Sequence, residues 1–533
     1  MKKQLTFRLF LAVSALFIMA GQGCKKENAS DQSVKGVALS KTTVTLKPGT
    51  SETLSYTVFP ENASNKNVSW STSDASVATV NTAGEVTAVK PGTATVTITT
   101  QEGSETATCS VTVTQNDAIN VSGNVEGTWA KYSVVNVTGH LKIPAGKKLV
   151  IEEGVEVIVS TGGQDANDTK IEWIVDGNLY ITGTDDNPVL ISVPSAQRTA
   201  ANSFKRLWGG IIGSATAAEI LIDHAVIEYT GAITTSTSPS VVSGLFKAGG
   251  GEGMVAFNTN NPSGSYVIQN TTFRNTGEDA IYVQGGNCIF TNNTFYAVGE
   301  AGGEAINVKA GCKVDAAYNL MYSANTNAFK LSNSGADAHR AQAQIYAYNN
   351  TIVNTGWRRD PNGPKGGSIW AEKGALVNVY NNLVVNAMFR AKAPKWGENA
   401  TDGPDLNSKI DYNYYAAGPQ TSTVPQHIAN GTASGYDGFK TGVKDAVYGN
   451  NDISGTAAGD KDPRFVNFPF SSNPLLDFAF DASWNFHLQA GSPALTGAKT
   501  DFTPYFSSTG VTVNGTTYKS PAPAAFFGAF GAQ

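Results

Sequence analysis

The sequence predicts an all-β protein, a small β-sandwich followed by a long coil of parallel strands stacked three to a turn. Three observations carry this reading. Apolar residues alternate with Thr, Ser and Asn in short runs that break at Gly or Pro, the period-two signature of strands. The texture of those runs changes once, between about residues 114 and 139. Beyond that change a short phrase centred on asparagine keeps returning, and such repetition signals a solenoid. With 533 residues, 41% apolar and only 15% charged, the chain can bury a sizeable core and build more than one domain.

Residues 1–23 stand apart from the fold. Lys2, Lys3 and Arg8 precede the apolar run "LFLAVSALFIMA", which stops at "GQGC", and this reads as an export signal. The run is too short to span a membrane as a mature helix. The small residues before Cys24 resemble the cleavage site of a bacterial lipoprotein signal peptide of the Bacteroidetes type, from which Gln22 departs. That resemblance implies a lipid on Cys24, an outer-membrane location and a surface-facing chain; an ordinary secretory signal with a chance cysteine is the alternative. Residues 24–34 read as a polar tether.

Charge and cysteine usage narrow the function classes. The chain carries a formal net charge of −5, and loses three basic residues with the signal, so nucleic acid is excluded as a partner held by bulk electrostatics. Neither the cysteines nor the scattered histidines (His140, His224, His339, His427, His487) show metal-ligand spacing. No phosphate-cradling glycine loop and no nucleophile elbow occurs. Cys288 and Cys312 lie about one coil apart, which places them side by side at strand spacing with a bridge left open.

Residues 35–114 supply the sandwich. "TVTLKPG", "ETLSYTVFP", "VATVNTAGEVTAVKPGTATVTIT" and "ATCSVTVT" are short alternating strands with Pro-Gly or Ala-Gly turns. The order of these phrases, above all "VSWSTSDASVATVNTAGEVTAVKPGTATVT", resembles the bacterial immunoglobulin-like group 2 family across nearly its whole length. The resemblance implies a spacer or adhesive module, with Trp70 as its core tryptophan.

Residues 120–533 supply the coil. Its register marks are Asn270, Asn293, Asn319, Asn350, Asn382 and Asn413, which lie 23, 26, 31, 32 and 31 residues apart. One strand precedes each mark, a second follows it, and a third ends near glycine: "DAIYVQGG", "EAINVKAG", "NAFKLSNSG", "GSIWAEKG". An asparagine stacked at the same corner of every coil satisfies polar groups that a tight turn would otherwise bury unpaired. Upstream, His224 takes that corner in "LIDHAVIEYTG", and Trp173 and Trp208 read as packing residues. This is the asparagine ladder of a right-handed, three-sheet parallel β-helix, and the region resembles the pectate-lyase-like superfamily. Ten to twelve coils at ~4.8 Å each give a solenoid on the order of 50 Å. "DPRFVN", "FHLQAGSPAL" and "GAFGA" resemble the closing segments of secreted bacterial β-helices and mark where the solenoid ends.

Alternation on the third strands then sorts the side chains. Ile281, Val283, Ile306, Val308, Phe329, Leu331, Ile369 and Ala371 face inward, which turns Tyr282, Asn307, Lys330 and Trp370 outward in one column and Gln284, Lys309, Ser332 and Glu372 in another. Asp279, Glu304 and Asn327 stand at the start of the same strands, and the loop "NTGWRRDPNGPKGG" carries Trp357, Arg358 and Arg359. In polysaccharide lyases and hydrolases of this superfamily the resemblance places substrate on this sheet.

Two chemistries fit these residues, and a third reading needs none. Sugar rings stack on aromatic faces flanked by carboxylates and amides, which nominates Tyr282, Asn307, Trp357, Arg358, Arg359, Trp370, Glu372 and Trp396 for binding polysaccharide or glycoconjugate. A lyase would need a base with a lowered pKa, Lys309 or Lys330, and an arginine or cation for the uronate carboxylate. Asp279, Glu304 and Asn307 offer oxygen ligands for calcium, the one cofactor this set admits, though none is required. No complete hydrolase or pectate-lyase signature is present, so glycan binding or adhesion leads and a divergent lyase or hydrolase follows. A solvated face on a structural or protein-binding adhesin, in contact with other outer-membrane proteins, is the third reading.

Overall fold

The computed structural model describes residues 32–249, 254–300, 302–358, 368–387, 403–418, 451–455, 459–470 and 478–533. The export signal and Cys24 lie outside them, as do Arg359 and Trp396. Among the described residues no helix is long and apolar enough to cross a membrane. The chain divides into two units, Met1–Thr114 and Gln115–Gln533.

The first unit is a sandwich because its strands alternate. One sheet runs Thr43–Leu46, Thr106–Val113, Gly92–Thr100, Val68–Thr72, and another runs Ser51–Thr53, Glu85–Ala88, Ala78–Val80. Val44, Leu46, Leu54, Val86, Val96, Cys109 and Val111 fill the space between them. Trp70 is only partly buried; it packs on that core from one side and meets Tyr56 edge-on at 5.9 Å. The Ala-Gly turn needs its glycine, since Gly84 has φ +80 and a Cβ there would come within 2.7 Å of the Trp70 ring.

In the second unit, among the described residues, each coil through Ile369–Glu372 gives three parallel strands to three sheets. The first sheet stacks ten strands from Gly127–Trp129 to Lys409–Ile410. The second and third sheets are joined at the outset by one bent strand, Val134–Ile143, which pairs with Glu156–Val159 by its first half and with Trp173–Val175 by its second. The third sheet continues through Ile211–Gly213, Phe257–Thr259, Ile281–Val283, Ile306–Val308, Phe329–Ser332 and Ile369–Glu372. Side chains in the lumen stack by type, as in the inward file Phe257, Ile281, Ile306, Phe329, Ile369 and the parallel rings of Phe273 and Phe295 at 5.4 Å. Each such burial contributes roughly 1.5–3 kcal/mol.

The corner between the first and second sheets explains why asparagines come in pairs. Asn292, Asn349 and Asn381 hold left-handed backbone at φ 57, 49 and 58, a conformation asparagine tolerates better than most residues. The residue after each then joins the ladder: Asn293 Nδ2 donates to Asn319 Oδ1 at 3.0 Å, Asn319 to Asn350 at 2.8 Å, Asn350 to Asn382 at 2.8 Å and Asn382 to Asn413 at 2.9 Å. Asn270 does not belong to this ladder, contrary to its place among the register marks. It has φ 52 and turns the corner as His224 does at φ 51, while Thr271 occupies the ladder position and gives its N–H to Asn293 Oδ1 at 3.0 Å. Asn350→Ala is expected to cost about 1–3 kcal/mol by stranding buried partners on both sides. Thermal melts of the variant test this, and an unchanged melting temperature would remove the ladder from the stability argument.

Two further expectations change. Cys312 pairs with Gly286, and Cys288 with Val314, so the cysteines sit diagonally with free, buried thiols. The aligned spacing failed because this coil is two residues longer than the gap between them. The C-terminal segments also do more than close the end. Phe465–Asn467 pairs antiparallel with Asn485–Leu488 against Tyr322, Leu383 and Tyr414 of the second sheet. Phe506, Val511 and Val513 pack on Tyr180, Leu221, Val267 and Ile289 of the first. The chain thus returns along two outer faces of its own coil.

Candidate functional site

Among the described residues the C-terminal return packs on the first and second sheets and leaves out the third, whose register builds the site. Tyr282 pairs with Asn307, Asn307 with Lys330, and Lys330 with Trp370, while Ser332 pairs with Glu372 in the adjoining column. Upstream the first column begins at Asn258, which pairs with Tyr282, and Asn260 stands two residues on. These two were missed in the sequence, although "FNTNN" places amides at alternate positions.

The face is not wet. Asp279, Glu304, Asn307 and Lys309 are 7%, 8%, 3% and 8% exposed, and Asn258 and Ser332 are wholly buried. The solvated-surface reading fails for these residues, because alternation can assign a side chain to the outside of a sheet without saying whether more chain lies over it. Upstream, Met254 and Val255 with Leu245 and Phe246 cover Ile174 and Ile212 and reach Tyr282, which gives the polar bay one apolar wall.

Within the bay the charged groups meet one another. Asp279 Oδ1 accepts the Glu304 backbone N–H at 2.8 Å and its Oδ2 accepts Asn307 Nδ2 at 2.8 Å, while Asn327 Nδ2 lies 3.2 Å from Glu304 Oε1. Burial and the Asp279 carboxylate push the Glu304 carboxyl well above the usual range. Burial and the Lys330 charge lower the Lys309 ammonium, against the pull of Asp279, Glu372 and Glu304. Its Nζ stands 5.2 Å from the Tyr282 ring centre. Burial would raise Glu372, but the 2.7 Å bond from Trp370 Nε1 and the nearby lysines outweigh it and keep the group ionised.

A staple behind the bay also escaped the sequence. Arg206 Nη2 binds Glu278 at 2.7 Å and its Nη1 reaches the Gly231 carbonyl, which fixes the turn that presents Asp279. Nothing in residues 200–210 hinted at this, since the two partners are 72 residues apart.

Two nominated residues lie elsewhere. Trp357 is 7% exposed and gives its indole N–H to the Asn386 carbonyl at 2.6 Å, so its face is not offered to a sugar. Arg358 spends its guanidinium on the carbonyls of Val298, Gly299 and Ser323 at 2.7–2.8 Å and lies over the Phe204 ring. It ties loops together beside the second sheet, and no fork remains for a substrate carboxylate. Both residues follow directly on the second-sheet strand Thr351–Val353 and stay beside it, which spacing along the chain does not show.

The acidic set does not suit calcium. Both Asp279 oxygens already accept hydrogen bonds, and Asp279, Glu304 and Asn307 together fall short of the six to eight oxygen ligands that calcium takes. No group of three or more His, Cys, Asp or Glu with metal-holding geometry occurs among the described residues.

Comparison with known proteins agrees with the two-part architecture. Residues 33–113 match the family described as Bacterial Ig-like domain (group 2). Residues 202–401 match Right handed beta helix region. The chain is an Ig-like module followed by a right-handed β-helix. Curated relatives include an α-L-arabinofuranosidase of Bifidobacterium longum subsp. longum, 35% identical over 29% of this chain and 13% of its own length. A kappa-carrageenase of Pseudoalteromonas carrageenovora is 46% identical over 15% of this chain and 20% of its own. An Ig-like virion protein of Serratia phage KSP90 is 46% identical over 15% of this chain and 31% of its own. The chain therefore spans less than a third of each, and the last two matches have the length of the Ig-like module.

Proposed function

We propose that the β-helix binds polysaccharide or glycoconjugate in the bay on its third sheet, and that the chain is an outer-membrane lipoprotein held by a lipid on Cys24 and facing the cell surface. One observation carries the binding reading: four consecutive coils gather one buried lysine, two buried acids and several buried amides on one face, beside the half-buried Lys330, Trp370 and Glu372. Such groups are costly to bury and add little to stability, so their concentration marks a working site. The glycan-acting names among the relatives support the ligand class. Trp370→Ala is expected to weaken binding at least tenfold on a carbohydrate array through lost stacking area. Affinity equal to wild type for every bound glycan would remove this sheet from consideration.

A lyase is the second reading, and Lys309 favours it, since a buried amine with a lowered pKa is what proton abstraction beside a carboxylate requires. The array glycans incubated with the protein and read for the ultraviolet absorbance of unsaturated uronates separate capture from cleavage.

A further inference from the structure

Asn307 sits mid-column, between Tyr282 and Lys330, and its amide is used at one end only. Nδ2 donates to Asp279 Oδ2 at 2.8 Å. That bond fixes the orientation, because a flipped amide would set oxygen against carboxylate oxygen. Asp279 is itself held, at Oδ1 by the Glu304 N–H and through its turn by the Arg206–Glu278 ion pair. Among the described residues Oδ1 of Asn307 is buried with no hydrogen-bond partner, a state that folded proteins rarely keep without a purpose.

We propose that Asn307 Oδ1 is the specificity-determining acceptor of this site: it receives a hydrogen bond from a neutral donor of the bound sugar, a ring hydroxyl or an N-acetyl N–H, and Asp279 is the residue that positions it. The inference rests on the reading of this face as a glycan site and names the chemistry of one contact within it. Charge selects a neutral donor. An anionic group would meet the amide oxygen and Asp279 behind it, whereas a cationic donor would have to approach between Lys309 and Lys330, which already disfavour each other. A hydroxyl or amide N–H is also the donor whose absence such a site rejects most strongly, because the acceptor is then left unpaired.

The test uses the full chain and arrayed arabinan, galactan, xylan and chitin oligosaccharides, each beside its O-methylated form and, for chitin, also beside its N-methylated form. The wild type should lose tenfold or more on one methylated form, O-methylation identifying a hydroxyl donor and N-methylation an N-acetyl donor. Asn307→Ala should weaken the native probe about tenfold and no longer distinguish it from the methylated one, since the two losses report one contact. Asp279→Asn, which keeps shape but frees the amide to turn, should blunt the same discrimination without lowering the melting temperature by more than a few degrees. Full discrimination retained by a folded Asn307→Ala, while Trp370→Ala still weakens binding, overturns the role of Asn307 and leaves the site standing. Wild-type affinity in Trp370→Ala and Lys309→Ala as well overturns the site and this contact with it.

Discussion

Asp315→Ala is expected to destabilise the β-helix by roughly 3–5 kcal/mol and to loosen the C-terminal return over the first sheet. Asp315 lies on Cys312–Ala317, fully buried. Its carboxylate accepts the Tyr505 N–H at 3.2 Å, the Phe506 N–H at 2.8 Å and the Ser520 hydroxyl at 2.6 Å. Truncation strands all three donors where no water replaces the acceptor. Hydrogen exchange should accelerate first across residues 505–520, ahead of the coil they cover.

The same residue sets a pH dependence. Burial raises Asp315 from 3.8 to about 6, because its hydrogen bonds and the nearby Lys313 pull it down by less. Lys313 lies over the Tyr505 ring at 4.7 Å, and Tyr346 and Tyr348 are the other titratable neighbours, both raised further by the Asp315 charge. The folded state thus binds a proton more tightly than the unfolded state. This contribution is fully present below about pH 4 and lost as pH rises through about 6, on the order of 3 kcal/mol. Chemical denaturation across that window should show wild-type stability falling relative to Asp315→Asn. A difference of opposite sign would show that the hydrogen bonds, and not burial, set the balance.

Legibility in the sequence followed the range of the interactions involved. Alternation and the asparagine repeat report contacts between neighbouring coils, so the three sheets and the column Tyr282, Asn307, Lys330, Trp370 could be read from it, whereas His224, like Asn270, turns the corner one residue before the ladder. Asn270 misled because two positions at the corner favour asparagine for different reasons, one for left-handed backbone and one for the ladder, and a lone asparagine does not say which it fills. What the sequence concealed was everything placed by chain returning from afar. Asp315 meets residues about 190 positions downstream, and Arg206 meets Glu278 across 72. Burial of the third-sheet face was hidden for another reason: pattern separates inside from outside a coil, and a covered outside looks the same as an open one.

Lys309 provides the sharpest separation of function from stability. Its ammonium is buried beside a second cation, which lowers its pKa, so it favours unfolding at any pH below its folded pKa; stability should rise with pH from there towards the value of a free lysine. Lys309→Met keeps the length of the side chain, preserves contact with the Tyr282 ring and removes that charge. The variant is therefore expected to melt at the same temperature as wild type or higher, gaining about 1 kcal/mol, while binding of an anionic glycan drops at least tenfold. For a lyase the outcome differs in kind: product formation is abolished and capture largely kept, because a base acts in the transition state more than in the ground state. Lys330→Met should relieve the same repulsion and return the Lys309 pKa towards its ordinary value, which would shift a lyase's pH profile to the alkaline side. A Lys309→Met protein that melts several degrees lower and binds every glycan as the wild type does would mean that the amine holds the bay together. The cost of burying it would then be repaid in packing, and the bay would have no claim to be a site.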